Sequence, residues 1–198
     1  LKRNHAYTPF SSGYRPELDV SAELDADETK YFQELLGILR WIVECGRIDI
    51  LYEVSLLSKF NCSPRQGHTE QAMHIFAYLK HNPKKKIVFD PECIPLAPDH
   101  FKKYDWYDIY PDANDELPPG MPEPRGEEVQ VNCFVDADHA GDKLTRISHT
   151  GIIIFVNSAP IIWYSKKQNS VETATFGSEL TALRVATELV EALRYKLR

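Results

Sequence analysis

Between residues 28 and 81 the apolar positions recur every three or four residues, the spacing of one face of a helix. In YFQELLGILRWIVECG the stripe is Leu35, Ile38, Leu39 and Ile42, and Gly46 is the stop signal. RIDILYEVSLLSKF repeats the pattern through Ile50, Val54 and Leu57, with Phe60 or Leu51 extending it. NCSPRQGH reads as a turn, and TEQAMHIFAYLKH predicts a third helix with Ala72, Ile75, Phe76 and Leu79 inward. Three helices joined by short turns predict a helical subdomain over 28–89, preceded by an extended N-terminal segment over 1–27. KKKIVFD is expected to close the subdomain with a strand.

From residue 129 the period changes to two. In VQVNCFVDAD, Val129, Val131, Cys133 and Val135 point one way, and Gln130, Asn132, Phe134 and Asp136 the other. TGIIIFVN and PIIWYSKK predict two more strands, with NSAP as the hairpin signal between them. TFGSELTALRVATELVEALRYKLR predicts a closing helix whose stripe is Leu183, Ala186, Val190, Leu193 and Leu197.

The two patterned regions are separated by residues 90–128, which hold eight of the 13 prolines and eleven acids against three bases. So long a span without secondary structure does not belong inside one compact domain, and it reads as an inter-domain connection. HFKKYDWYDIY within it is aromatic enough to dock on a neighbour. The expected fold is mixed α+β: a small helical subdomain, a Pro- and acid-rich tether, and a three-stranded antiparallel sheet with one helix over 129–198.

Composition narrows the function classes. Apolar residues make up 43% of the 198, enough for a packed core. No run of about 18 apolar residues predicts a membrane span. The opening LKRNHAYTPFSSG has no apolar signal core, so an intracellular protein is expected, and a start at Leu1 reads as cut from something longer. The four cysteines (Cys45, Cys62, Cys93, Cys133) form no CxxC pair and read as reduced thiols. His68, His74 and His81 show no HExxH pattern and read as packing or surface residues. The net charge of −6 is uneven: residues 1–89 carry +1, 90–139 carry −10 and 140–198 carry +3. Local phosphate binding at the ends therefore stays open.

The candidate chemistry lies in FVDADHAGD, residues 134–142. Asp136 ends the first predicted strand. Glu179 lies in the first turn of the last helix, four residues before Leu183, and so extends that helix's core-facing stripe. If the helix crosses the sheet the two carboxylates converge, and a cation would be needed to join them. Hard oxygen donors suit Mg²⁺ or Mn²⁺. The residues alone leave a second reading open, in which Glu179 simply complements the helix dipole and Asp-Ala-Asp is a turn. Asp138 shares a face with Asp136 only if the strand continues. A turn role is expected for Asp138 and Asp142.

FVDADHAGDKLTRISHTGIIIFVNSAPIIWYSKKQNSVETATFGSELTAL resembles the ribonuclease H domain of copia-type retrotransposon polyproteins. That family has a VDADWAGD-like strand end, a TG strand, a PI-W-SKKQ segment and a helix opening TEAEYIAL. The preceding helical pattern is similar to the segment after the polymerase palm of the same polyproteins, the thumb and connection region. The resemblance covers about residues 10–198.

It implies hydrolysis of the RNA strand of an RNA–DNA hybrid by two divalent ions roughly 3.5–4 Å apart. Asp136 and Glu179 would be catalytic metal ligands, with Asp138 a further candidate. Lys166, Lys167 and Arg146 are candidates for phosphate contacts. Implied partners are RNA–DNA hybrid or primer–template and the remaining polyprotein domains, in a cytoplasmic virus-like particle or the nucleus. His139 stands where the family has Trp, and Gly177 where it has the first Glu of TEAE. The family's third catalytic Asp belongs to a strand beyond the last helix, so the chain is expected to complete neither the polymerase nor the nuclease site.

The alternative is a non-catalytic nucleic-acid-binding or structural remnant of a transposable element. A glycosyltransferase DxD motif fits less well, since hairpin strands, not a βαβ unit, surround the acids.

Overall fold

The computed structural model describes residues 6–95, 107–112, 119–123 and 126–197. Four α-helices and one three-stranded antiparallel sheet make it a mixed α+β structure. The first helix, α1, spans Ala26–Glu44. Asp25 caps it: its carboxylate accepts the Glu28 N–H at 2.9 Å, while Glu28 reaches back to the Asp25 N–H at 3.1 Å. Gly46, at φ 105°, ends it in a conformation that disfavours side chains. Helix α2 is Leu51–Ser58, entered through a 3₁₀ turn at Ile48–Ile50, and α3 is Gln66–His81.

The three helices share one core of Phe32, Leu36, Leu39, Ile50, Val54, Leu57, Ala72 and Ile75, with Phe76 and Leu79 packed against it. Two details differ from the expected pattern. Ile38 is 51% exposed, and Phe32, Leu36 and Val43 take the inward positions of α1. Helix α3 begins at Gln66, so part of the expected turn is its first turn. His68 explains why. Its Nδ1 accepts the Arg65 N–H at 3.0 Å, leaving Nε2–H to donate to Pro16 O at 3.0 Å, so a buried imidazole both caps α3 and anchors the N-terminal segment. That segment also carries a 3₁₀ turn at Pro16–Leu18 and buries Ala6.

KKKIVFD forms no strand. Ile87 alone of its apolar side chains seats, against Gly46, while Val88 and Phe89 stay exposed and the segment pairs with no strand of the sheet. The described residues of the 90–128 connection form no helix or strand, and most of HFKKYDWYDIY lies outside the described residues. Asn157 Nδ2 donates to Pro91 O at 2.7 Å, tying the start of the connection to the hairpin turn of the sheet.

The strands are β1 (Val131–Asp138), β2 (His149–Val156) and β3 (Ala159–Lys167), in that order across the sheet. Strands β2 and β3 are joined at Asn157–Ser158, with Asn157 at φ 53°, a region asparagine tolerates better than most residues. Helix α4, Thr175–Leu197, packs across one face through Ala186 and Leu193, against Val131, Cys133, Val135, Ile152 and Ile154. The opposite face meets the helical unit. Trp163 packs on the helical core, and Ser55 Oγ of α2 donates to Ser165 O of β3 at 2.8 Å.

Candidate functional site

Strand β1 continues through Asp138, so Asp136 and Asp138 share a face. This differs from the turn expected for Asp138, and cross-strand pairing is the reason: Asp136 lies opposite Gly151 and Asp138 opposite His149. The odd positions Val131, Cys133 and Val135 are taken by α4, which turns both acids toward the helical unit. There Tyr52 of α2 donates its hydroxyl to Asp138 Oδ2 at 3.3 Å. Burial, together with the Asp138 charge and that hydrogen bond, pushes the Tyr52 phenol up to about 12.

His149 sits beside them, 5% exposed, with the Tyr52 ring edge-on at 5.2 Å. Its Nε2 pairs with Ser165 Oγ at 2.8 Å, and its Nδ1 is buried without a partner. Burial, with the nearby Lys59 charge second, pushes the imidazole down to about 4, so the ring is neutral near pH 7. A cavity of about 410 Å³ opens over this face, floored by Gly151 and Ile153 and walled by Leu51, Tyr52, Phe134 and Asp136. A Cβ at Gly151 would meet nothing within 4 Å, so the space beside Asp136 is clear.

Asp142 takes the turn role expected of it. Its carboxylate accepts the N–H groups of Thr145 at 2.9 Å and Leu144 at 3.1 Å, closing the loop after β1. Burial pushes its pKa up, but those hydrogen bonds and the Lys59 ammonium at 3.9 Å outweigh it and hold the carboxyl below the usual range. Arg146 belongs to the same loop. It sits at φ 57° and turns its guanidinium back to Ala140 O at 3.3 Å. Lys166 and Lys167 are exposed at the end of β3, and alternation sends Lys167 to the face that carries His149.

Of the expected stripe, Ala186 and Leu193 are buried against the sheet with Val190 packed beside them, but Leu183 is 51% exposed, and Ser178 and Ala182 complete the contact line instead. Small side chains at the crossing let the helix approach β1 closely, and that size requirement sets its rotation. Glu179 therefore flanks the contact line instead of extending it, and it is part-buried.

The first turn of α4 is pinned at the end of β1. The Ser178 hydroxyl donates to Thr175 O at 2.7 Å, which leaves its oxygen to accept from His139 Nδ1 at 3.1 Å. Buried Gln168 completes the brace: its Nε2 donates to Ser178 O at 2.9 Å and to Thr150 Oγ1 at 3.1 Å. Sequence reasoning used the Gln of SKKQ only as a motif letter, and it attached no role to Ser178. The structure thus brings Asp136 and Asp138 onto one face, while Glu179 rides on α4, which packs on the other face with its first turn near the end of the same strand; the expected convergence of Asp136 and Glu179 is not seen, because alternation along β1 points Asp136 away from the helix. Among the described residues, no three His, Cys, Asp or Glu side chains are gathered closely enough to hold a metal ion.

No family model matches the chain, and no solved structure matches it. Curated relatives do. The chain is 26% identical over 172 residues to the retrovirus-related Pol polyprotein from transposon RE1 of Arabidopsis thaliana, covering 87% of this chain and 9% of that protein. It is 25% identical over 164 residues to the putative transposon Ty5-1 protein of Saccharomyces cerevisiae, covering 83% of this chain and 42% of that protein. It is also 22% identical over 153 residues to secreted RxLR effector protein 161 of Plasmopara viticola, covering 77% of this chain and 84% of that protein. The chain thus spans only 9% of the length of the Arabidopsis Pol relatives it matches.

Proposed function

The chain is related, over most of its length, to a segment of the Pol polyproteins of retrotransposons, and from that premise we propose that it joins polymerase-distal helices to the opening strands of a hybrid-specific ribonuclease. Asp136 and Glu179 are its contribution to metal-dependent phosphodiester hydrolysis, with a further carboxylate supplied from outside these residues. The observation that carries this reading is Asp136 itself. It is an exposed carboxylate near the end of an edge strand, beside the clear space over Gly151, and the strand runs on to the brace that holds the first turn of α4.

The donor set fits Mg²⁺ or Mn²⁺ in chemistry, being carboxylate oxygen. It falls short in number, since the described residues gather no three-ligand group. Bound divalent ions would supply an activated water and neutralise charge on the scissile phosphate. The chain's own residues would do the rest. Asp136 offers a ligand from a rigid strand. His139, Ser178 and Gln168 are positioning residues that fix the turn bearing Glu179.

Two measurements test this. In the intact polyprotein, Asp136→Asn and Glu179→Gln should each abolish cleavage of an RNA–DNA hybrid while polymerisation continues. Retained cleavage in Asp136→Asn rules the assignment out. The purified 198-residue chain should bind Mn²⁺ weakly, broadening the NMR signals of Asp136 first, and should show negligible cleavage. Efficient cleavage by the chain alone would refute the shared-site reading.

The exposed lysines Lys166 and Lys167 at the end of β3 favour a second reading, a non-catalytic nucleic-acid-binding element. Salt-dependent hybrid binding, with the intact polyprotein indifferent to Asp136→Asn, would select it.

A further inference from the structure

We propose that the cleft between α1, α2 and the end of β3 binds the sugar–phosphate backbone of single-stranded nucleic acid. This rests on the nucleic-acid reading above and adds a site to it. The cleft has a volume of about 420 Å³ and is lined by Arg40 of α1, Lys59 at the end of α2, and Lys166 and Lys167 of β3. Arg40, Lys59 and Lys167 border it, and Lys166 lines its rim from the neighbouring strand position, with Glu44 the one acid in the lining, on a chain whose net charge is −6.

Folding does not require that grouping. Arg40, Lys166 and Lys167 make no side-chain hydrogen bond or ion pair among the described residues, so none of those residues pairs with their charges. Lys59 shows the strain directly. Its side chain is 15% exposed, and its nearest acid, Asp142, lies 3.9 Å away. Burial holds its ammonium below the ordinary lysine value; Asp142 opposes this, and the Lys167 charge adds to it. An anion in the cleft would offset both the desolvation cost and the like charge.

Size selects the occupant. A cleft of this volume matches small-ligand pockets of about 300–1,000 Å³ and admits a stretch of one strand, not a duplex. Register places it relative to the acids. Lys167 pairs with His149, and His149 with Asp138, so the three occupy one row across the sheet. Two inter-strand steps put the Lys167 and Asp138 backbones about 10 Å apart. A strand held in the cleft would therefore lie close to the carboxylate face and could hold a single-stranded flank of a substrate there.

The test is fluorescence anisotropy of the 198-residue chain with a labelled 12-nucleotide oligo(dT) between 50 and 200 mM NaCl. Binding should weaken with salt at a log–log slope of about −2, or about −0.7 for each of three phosphates. The triple variant Arg40→Ala/Lys166→Ala/Lys167→Ala should lose at least tenfold in affinity and most of the slope, with an unchanged melting curve. Lys30→Ala/Lys84→Ala, on remote lysines, should bind as wild type.

Wild-type affinity in the triple variant overturns the proposal. Equal displacement by inorganic pyrophosphate at matched phosphate concentration also overturns it, in favour of a simple anion site. Tighter binding of a hybrid duplex through the same residues overturns it in favour of a duplex surface. The two readings can fail separately. Hybrid cleavage lost in Asp136→Asn with no cleft dependence of oligonucleotide binding defeats only the cleft. Cleft-dependent binding with hybrid cleavage indifferent to Asp136→Asn defeats only the nuclease assignment.

Discussion

Replacing Gln168 tests whether the brace at the start of α4 is structural in the way its geometry implies. Gln168 is 4% exposed, and its amide makes two hydrogen bonds, to Thr150 Oγ1 and Ser178 O. Two such bonds contribute about 1–3 kcal/mol net. Two features lower that figure for Gln168→Ala. The Gln168 Oε1 is buried without a partner, a cost the variant sheds. Ser178 O is also a first-turn helix carbonyl and keeps its acceptor role to the N–H four residues on.

The expected loss is therefore about 1–2 kcal/mol, or roughly 3–6 °C in Tm for a chain of this size. Gln168→Glu is the discriminating variant. A carboxylate has the same shape and no N–H, so it would place a buried charge against the Ser178 carbonyl, at about 3 kcal/mol or more. Urea denaturation followed by far-UV circular dichroism gives the stabilities. Amide exchange should show the loss concentrated in the first turn of α4. If Gln168→Glu is no worse than Gln168→Ala, or if a double-mutant cycle with Thr150→Val shows no coupling, the hydrogen-bond account is wrong and Gln168 merely fills space.

Three further outcomes are expected. His149 has its folded pKa pushed down to about 4 from an ordinary 6.5, so its contribution is complete above 6.5 and is lost as pH falls toward 4; between pH 7 and 5 this amounts to about 2 kcal/mol, which His149→Gln should abolish in urea titrations at the two pH values. Leu57 is fully buried in the helical core, and Leu57→Ala should cost about 2–5 kcal/mol and alter the fluorescence of Trp163, which packs on that core. Asp49 is pushed up by burial but held below its ordinary 3.8 by hydrogen bonds from Arg47 at 2.9 Å and Tyr78 at 2.8 Å; its contribution is complete above 3.8 and is lost as pH falls through its lower folded value, so Asp49→Asn should lower Tm at pH 7 and the deficit should shrink as pH falls below 3.8.

What the sequence disclosed and what it concealed divide along a physical line. Period and punctuation are local, so the three helices with their stop at Gly46, the alternating strands, the hairpin at Asn157 and the turn role of Asp142 could all be read from neighbouring residues. The rotation of α4 could not. Hydropathy selects a stripe through Leu183, Ala186, Val190, Leu193 and Leu197, of which Ala186 and Leu193 are buried and Val190 packs beside them, but it passes over a second line through Ser178 and Ala182. A close crossing over β1 rewards small size instead, so the second line is buried while Leu183 and Leu197 are 51% and 45% exposed.

Contacts distant in sequence were equally invisible. Tyr52 meets Asp138 across 86 residues and Ser55 meets Ser165 across 110. Those contacts make the cleft. Lys166 and Lys167 stand out in SKKQ, but Arg40 is one charge on an exposed helix face and Lys59 one near a helix end, and neither signals a site alone. They become one when α2 docks on the face of the sheet that also carries the acids. The docking therefore does what neither unit does separately: it places cations, of which only Lys59 has an acidic partner among the described residues, beside the carboxylate face, which is the arrangement a phosphodiester strand requires and a folded core does not.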